Sequence, residues 1–378
     1  MKTPVNKKRA TSAAVRAGRS TNDRGSAEKA IGAEAPGLAD FAAMLSPAGD
    51  EFLEQMAQKA QLLTKRHFGR TVSLYVPLYL SNFCSGGCAY CGFALDREQP
   101  RRRLNQDELV SECRAIKKMG FEDVLLLTGD RCRQDDFAYL LASVKIGAQH
   151  FHTVTVESFA MTEAEYASLA KAGCSGITIY QETYDPVLYR ILHKRGEKSN
   201  YEWRLDAPSR ALSAGMRTVG LGVLLGLTDP VSDLISLFRH AEQLRKKYWQ
   251  AGILLSFPRI CPQFGDYQPA YPVDDRFLAR TIFAFRICFP DTPIVLSTRE
   301  QPSFRDNMAG VGVTRMSIAS RTTVGGYAQQ PKAPKARQFD VGDTRNVATF
   351  CRALRSKDLE PVFKNWDAAL QLRALSTP

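Results

Sequence analysis

The sequence predicts an α/β fold, a parallel (β/α)8 TIM-type barrel with helices before it and a helical extension after it. Three observations carry this prediction. Apolar runs alternate with stretches of helical periodicity between about residues 71 and 325. The runs are continuously apolar, as in a parallel sheet that is covered on its outside. The 378 residues are also enough for one such barrel.

The chain begins with a basic arm. Residues 1–31 contain eight basic and two acidic residues and few large apolar ones, so residues 1–36 are predicted to be a disordered basic tail. This arm lacks the apolar core of a secretory signal, and an organellar transit peptide remains the alternative to a solvated tail. Residues 37–70 are predicted to form N-terminal helices, with a break at Leu45-Ser46-Pro47.

The barrel is predicted to occupy residues 71–325, and the extension residues 326–378. The predicted strands are 72–80, 123–127, 153–156, 176–180, 218–225, 253–257, 294–297 and 311–317. The predicted helices between them are 106–119, 137–144, 162–172, 207–214, 231–248 and 275–289.

Composition narrows the class of protein. Hydrophobic residues make up 44% and charged residues 24% of the chain, which is typical of a globular protein. No apolar run is long enough for a transmembrane helix. Half of the net charge of +12 lies in the basic arm, so the charge does not require a nucleic-acid partner. Most of the nine cysteines are scattered without paired spacing, which favours a reducing, cytoplasmic compartment.

Cys84, Cys88 and Cys91 form a C-x3-C-x2-C motif directly after the first predicted strand. Three clustered thiolates can bind three irons of a [4Fe–4S] cube and leave the fourth iron open to a small molecule. This pattern is typical of radical S-adenosylmethionine (SAM) enzymes. The alternative is a zinc site in a non-enzymatic scaffold, but structural zinc usually takes four ligands. No second cysteine pair and no His-x3-His follows.

Polar residues follow several predicted strands. Because the C-terminal ends of parallel strands meet at one end of a barrel, where catalytic groups gather, we expect these residues to share a site with the cysteines. They are residues 128–130, 157–158, 181–184, 297–300 and 317–320.

The chain resembles the aromatic-amino-acid lyase branch of the radical SAM enzymes. The similar segments are 78–93, 128–130, 179–184, 193–196, 203–205, 220–227, 296–300 and 325–327. Hydrogenase-maturation members carry a second cysteine cluster after the barrel, whereas only Cys351 follows it here. The ending, from Gln338-Phe339-Asp340-Val341 to Trp366-Asp367, resembles the thiamine-biosynthesis tyrosine lyases.

The resemblance implies a specific reaction. Its members cleave the Cα–Cβ bond of L-tyrosine into 2-iminoacetate (dehydroglycine) and p-cresol, using a [4Fe–4S] cluster and SAM. It also implies thiazole synthase as the recipient of the product and flavodoxin or ferredoxin as the electron donor. A related lyase acting on tryptophan or another amino acid is the enzymatic alternative.

Site residues are predicted in two groups. Arg299 is predicted to bind the substrate carboxylate, because a guanidinium fork suits a bidentate contact. Ser317 and Ser320 are predicted to hydrogen-bond the same molecule, with capping of nearby backbone as the alternative. The resemblance assigns the SAM contacts to Tyr90, Gly129, Asp130, Glu157, Gln181, Glu182 and Arg204.

Two positions depart from the family pattern. Ser85-Gly86-Gly87 stands where an Asn-containing segment is expected, and Asp130 stands where a Glu is usual. The aspartate keeps the carboxylate but reaches less far.

Overall fold

Eight parallel strands close into a barrel in the computed structural model of the chain, which describes residues 24–330 and 336–364. This confirms the predicted fold class. The strands are β1 Thr71–Tyr79, β2 Asp123–Leu127, β3 Thr153–Glu157, β4 Cys174–Thr178, β5 Thr218–Gly222, β6 Gly252–Ser256, β7 Ile294–Leu296, β8 Arg315–Ser317 and β9 Glu360–Val362.

The described helices surround the barrel or precede it. They are α1 Arg24–Gly32, α2 Leu38–Leu45, α3 Leu53–Phe68, α4 Gln106–Lys118, α5 Asp136–His150, α6 Glu163–Lys171, α7 Pro186–Leu192, α8 Tyr201–Leu205, α9 Ala207–Ser213, α10 Pro230–Lys247, α11 Asp275–Cys288, α12 Pro302–Met308 and α13 Val347–Arg355. No helix in the described ranges is long and apolar enough to cross a membrane.

Capping residues in the sequence specify where two of the helices begin. Asn105 accepts a hydrogen bond from the backbone N–H of Glu108, whose carboxylate accepts one from the N–H of Asn105. Thr162 and Glu165 make the same reciprocal cap at α6. Such capping boxes satisfy N–H groups that a helix start would leave unpaired. They therefore fix where the crossover helices begin.

The long strand β1 closes the barrel. Ser73–Tyr75 pair with β8 on one edge, and Val76–Tyr79 pair with β2 on the other. On this second edge, the first three residues of β1, Thr71–Ser73, pair with β9. Strand β9 was not predicted, because three residues that include a proline resemble a loop.

The eighth strand is shorter than predicted. It covers Arg315–Ser317 instead of 311–317. Gly310 and Gly312 have φ values of 75° and 147°, which turn the chain before the strand can start.

The N-terminal helices pack against the outside of the barrel. Phe41 of α2 contacts Phe238 and Phe285 of α10 and α11, with ring centroids 4.9 and 4.5 Å apart. Helix α1 lies where the sequence analysis predicts a disordered tail, while residues 1–23 lie outside the described residues. Its apolar residues Ala27, Ala30 and Ile31 are buried. Because they are few, the basic composition of the arm concealed this face.

A segment after the barrel returns to the catalytic end. We call residues 336–346 the strap. Gly342 N–H donates to the carbonyl of Thr298 at 2.8 Å, and Gly92 N–H donates to the carbonyl of Gln338 at 2.9 Å. A Cβ on Gly92 would lie 2.3 Å from the carbonyl oxygen of Arg337, so glycine is required for this close approach. The strap thus joins the cysteine loop to the loop after β7. It belongs to the predicted C-terminal extension, of which residues 331–335 and 365–378 lie outside the described part.

Replacing Asp343 of the strap with alanine is expected to lower the free energy of unfolding by about 3–5 kcal/mol. Arg305 and Asp343 form an ion pair with fully buried side chains, and removal of one partner leaves the other charge buried and unpaired. Denaturant unfolding measures this loss. Glu242, whose ion pair with Lys246 on α10 is exposed, is the control, and its alanine variant should unfold at nearly the wild-type midpoint. Equal stability of both variants would contradict the anchoring role.

Candidate active site

The cysteine loop follows β1 and is folded by its own polar groups. The amide of Asn82 donates to the carbonyl of Pro100 at 2.8 Å and accepts from the N–H of Arg102 at 2.7 Å. The guanidinium of Arg101 donates to the carbonyls of Asn82 and Phe93 at 2.8 Å. These contacts close residues 82–102 into one loop. The three cysteines are therefore held at the C-terminal end of the barrel.

The cysteine sulfurs are surrounded by N–H donors. The N–H groups of Gly86 and Asp130 point at Cys84 Sγ from 3.3 and 3.2 Å. Phe93 N–H points at Cys91 Sγ from 3.4 Å. Such donors stabilise the negative charge of sulfurs in iron–sulfur sites. Burial and the neighbouring Cys88 and Cys91 raise the pKa of Cys84 to about 12, so a bound metal must supply the charge that holds it as a thiolate.

The three cysteines share one cavity. Within residues 24–330 and 336–364, no three Cys, His, Asp or Glu side chains converge on one metal-ion position. In a [4Fe–4S] cube each thiolate binds a different iron, so its ligands surround a common space instead of a single ion.

The two departures from the family pattern contact each other. Ser85 Oγ donates to Asp130 Oδ2 at 3.1 Å, and the N–H of Lys198 donates to the same oxygen at 3.0 Å. Asp130 therefore connects the cysteine loop to the 196–199 turn. A Cβ on the preceding residue, Gly129, would lie 2.3 Å from the carbonyl oxygen of Phe83. The backbone at Gly129 therefore packs directly against the cysteine loop.

A charged cluster forms the opposite wall of the cavity. Lys198 Nζ lies 2.6 Å and Arg204 Nη2 lies 3.8 Å from Glu182 Oε1. Burial alone would raise the pKa of Glu182, but the charges of Lys198 and Arg204 hold it below its usual value. In this cluster Lys198 and Arg204 carry two positive charges against the one negative charge of Glu182. This part of the cavity therefore suits an anionic group such as a carboxylate. The sequence analysis did not select Lys198.

Tyr90 is held by a neutral histidine. Its hydroxyl lies 2.6 Å from His193 Nε2, and His193 Nδ1 lies 2.8 Å from the carbonyl of Tyr189. The carbonyl can only accept, so Nδ1 carries the proton and Nε2 accepts from Tyr90. Burial and the charge of Lys198 lower the pKa of His193 to about 3, in keeping with this tautomer. His193 thus positions Tyr90.

Arg299 faces the cavity without an acidic partner. It lines the same cavity as the cysteines, and it makes no ion pair with any described carboxylate. Its guanidinium carbon lies 3.4 Å from the ring centroid of Phe339 on the strap. This stacking fixes the plane of the guanidinium and leaves donors for a ligand. Phe339 has no polar group, so only its place in the resembling segment could have drawn attention to it.

The other predicted residues divide into two groups. Tyr90, Gly129, Asp130, Glu157, Glu182 and Arg204 line the cavity that the cysteines and Arg299 share. Gln181 is buried outside that lining. Ser317 is also not among the residues that line this cavity. Its Oγ accepts a hydrogen bond from the N–H of Thr298 at 3.1 Å. Ser320 lines a separate cavity beside the strap, because Ala319 has a φ of 53° and turns the chain away.

Gln338 of the strap reaches Cys91. The hydroxyl of Tyr79 donates to Gln338 Oε1 at 2.6 Å, which leaves the amide nitrogen 3.8 Å from Cys91 Sγ. A donor to a ligating sulfur stabilises the more negative, reduced cluster. Gln338→Leu is therefore expected to lower the midpoint potential of the cluster. A redox titration followed by electron paramagnetic resonance measures this, and Tyr79→Phe, which keeps the amide, should shift it less. An unchanged potential in Gln338→Leu would exclude the hydrogen bond.

Glu157 is expected to make SAM binding depend on pH. Burial and the charge of Glu182 raise the pKa of Glu157 to about 7. Below that pH the side chain is neutral, and above it the carboxylate attracts a cationic ligand, so affinity for the SAM cation should increase as pH rises through this value. Equilibrium dialysis between about pH 6 and about pH 8 tests this. Glu157→Gln should flatten the profile; an equal slope in both proteins would assign the dependence to another group.

These features define a class of protein. A barrel with three cysteines after its first strand, next to a cavity of polar strand-end residues, is a radical SAM site. The family model described as the Radical SAM superfamily matches residues 78–240, and that of the Biotin and Thiamin Synthesis associated domain matches residues 256–360. Members of this class use a [4Fe–4S] cluster and SAM, and the residues of this cavity fit both.

The relatives then define the family. The chain is 39% identical to the 2-iminoacetate synthase of Salmonella typhimurium and 40% identical to that of Escherichia coli K12. Each alignment spans 344 residues, or 91% of this chain and 91% of the relative. The chain belongs to the 2-iminoacetate synthase family.

Solved structures show the same architecture. The crystal structure of HydG, a maturase of the [FeFe]-hydrogenase, matches with a TM-score of 0.88 and 27% identity, covering 94% of this chain and 80% of that chain. Methylornithine synthase (PylB) matches with a TM-score of 0.72 over 93% of this chain and 100% of that chain. At 21% identity this second likeness concerns the fold alone.

Proposed function

We propose that the protein cleaves the Cα–Cβ bond of L-tyrosine to give 2-iminoacetate and p-cresol, as its family implies. The observation that carries this proposal is Arg299, a guanidinium without an acidic partner among the described residues, in the cavity that the three cysteines line. Such a group suits the carboxylate of an amino-acid substrate. The two products together contain the atoms of tyrosine. The hydrogen atom removed from the substrate ends in 5′-deoxyadenosine, so forming p-cresol takes one electron and one proton in addition to the electron that cleaves SAM.

Different residues of the cavity would have different roles in this reaction. Cys84, Cys88 and Cys91 would hold the cluster, and Tyr90, Glu157 and Arg204 would contact SAM. When bound, the two cofactors supply an organic radical that removes a hydrogen atom from the substrate. Arg299 orients the substrate by its carboxylate, and Phe339 keeps the guanidinium plane fixed. Orientation of this kind limits which substrate hydrogen faces the radical.

The partners and location follow as part of the proposal. The enzyme needs a one-electron reductant, for which flavodoxin or ferredoxin is the candidate. A thiazole synthase is the candidate recipient of 2-iminoacetate, which hydrolyses readily in water because it is an imine. A cytoplasmic location stays a prediction.

Product analysis tests the proposal. Protein reconstituted with iron and sulfide, reduced without oxygen and supplied with SAM should form p-cresol and 5′-deoxyadenosine from L-tyrosine. L-Tryptophan under the same conditions should give no indole-containing fragment. If the cluster is intact and no p-cresol forms, the protein does not cleave tyrosine in this way. An indole product from tryptophan would identify the protein as a tryptophan lyase instead. One zinc per chain without iron would support a scaffold instead.

A further inference from the structure

Large apolar side chains are exposed around the cysteine loop. The described residues expose seven of them, and five lie on three segments, residues 84–97, 186–195 and 258–271. These five are Leu95, Val187, Ile191, Phe264 and Tyr271. Scattered exposed apolar residues are ordinary, but their concentration at one place on a surface marks an interaction site.

The first segment belongs to the cysteine loop, and the other two contact it. The N–H of Leu95 donates to the carbonyl of Gly86 at 2.7 Å. His193 pairs with Cys88 in an antiparallel bridge. The rings of Tyr90 and Tyr267 lie 6.3 Å apart. The exposed apolar side chains therefore surround the part of the surface nearest to the cluster ligands.

One of the three segments is strongly basic. Arg190, Lys194 and Arg195 are exposed and make no ion pair with the described carboxylates, and residues 186–196 contain no Asp or Glu. With Val187 and Ile191, which are 64% and 58% exposed, they form what we call the basic patch. The segment around Leu95 differs, because Asp96 and Glu98 are exposed beside it. Glu197, just after this segment, is exposed but pairs with Arg131, so the basic patch favours an acidic partner.

The patch is also close to the cluster along the chain. Lys194 is bonded to His193, which pairs with the cluster ligand Cys88. Arg195 lies beside Gly87, where a Cβ would be 3.8 Å from the arginine Cβ. A redox protein bound here would approach the cluster through one layer of protein. An apolar centre with charged residues around it is the usual composition of a transient protein interface.

We propose that the basic patch is the docking surface for a one-electron carrier with an acidic surface. The inference rests on the proposed function only in requiring a reducible cluster at the three cysteines. In the docked complex one electron leaves the carrier, which is oxidised, and reduces the cluster by one electron. Charge complementarity steers the encounter, and Val187 and Ile191 are buried in it.

The rate of cluster reduction tests the proposal. Reduced flavodoxin, chosen as an acidic carrier, is mixed with oxidised holoenzyme without tyrosine, and bleaching of the cluster is followed by stopped flow. The Arg190→Glu/Lys194→Glu variant should be reduced at least about 10-fold more slowly than the wild type at low salt, with a weaker salt dependence. Dithionite is small and also anionic, so it should be slowed far less than flavodoxin, because it makes no docked contact with the patch.

Two further variants make the result specific. Arg114→Glu/Lys118→Glu makes the same charge change at exposed residues of α4 and should be reduced by flavodoxin at the wild-type rate. Ile191→Ser should slow reduction without changing its salt dependence. A wild-type rate in the Arg190→Glu/Lys194→Glu variant would overturn the proposal, and so would equal slowing with dithionite or in the α4 variant. Because no tyrosine is present, failure of the lyase reaction leaves this test intact.

Discussion

Replacing Cys88 with alanine is expected to abolish both the cluster and the formation of p-cresol. The Cys88 side chain is buried, 5% exposed, between the loop and the 193–198 segment, so no solvent or side-chain ligand readily takes its place. Two thiolates cannot bind three irons. The iron content, measured by iron analysis, should fall from about four irons per chain to almost none.

Cys113→Ala is the matched control for this loss. Cys113 is also fully buried, but it lies on α4, outside the cavity. Its alanine variant should keep the iron, the absorbance of the cluster and the product. Full iron content in Cys88→Ala would exclude Cys88 as a ligand, and iron loss in Cys113→Ala would mean that buried thiols stabilise the protein in general.

Replacing Arg299 with alanine is expected to raise the KM for tyrosine while the cluster and SAM binding stay intact. A hydrogen bond to a charged group contributes about 1.5–3 kcal/mol, which corresponds to about 10- to 150-fold in KM. Arg299→Lys should recover little, because an ammonium keeps the charge but lacks the planar fork that stacks on Phe339.

Arg321→Ala is the control, since Arg321 is exposed and lies outside the cavity lining. It should leave KM, iron content and SAM affinity unchanged. An unchanged KM in Arg299→Ala would contradict carboxylate binding. Loss of iron or of SAM affinity in that variant would assign Arg299 to the cofactors instead of the substrate.

The features that sequence could predict are those set by local pattern. The apolar runs predicted the eight barrel strands, and the cysteine spacing predicted a metal site. The strand-end rule brought Glu157 and Arg299 to the cavity of the cysteines. The pairing of Ser85 with Asp130 could not be read from either residue alone, because it depends on the distance between two loops.

The features that sequence could not predict depend on long-range packing or on a single dihedral angle. Gln338 and Phe339 reach the site because Arg305 and Asp343 anchor the strap. Ser317 ends β8 and Ser320 follows it, but the positive φ of Ala319 directs Ser320 into another cavity. Helix α1 depends on burial of three apolar residues, which composition alone does not reveal.

The most direct test of Cα–Cβ cleavage at this cavity uses L-tyrosine labelled with carbon-13 at both Cα and Cβ. Anaerobic turnover with SAM should place the Cβ label in the methyl group of p-cresol. The Cα label should appear in 2-iminoacetate or in glyoxylate, its hydrolysis product. Separation of the two labels into these products is the predicted result. Recovery of both labels in one product, with the cluster intact and SAM consumed, would contradict cleavage of that bond.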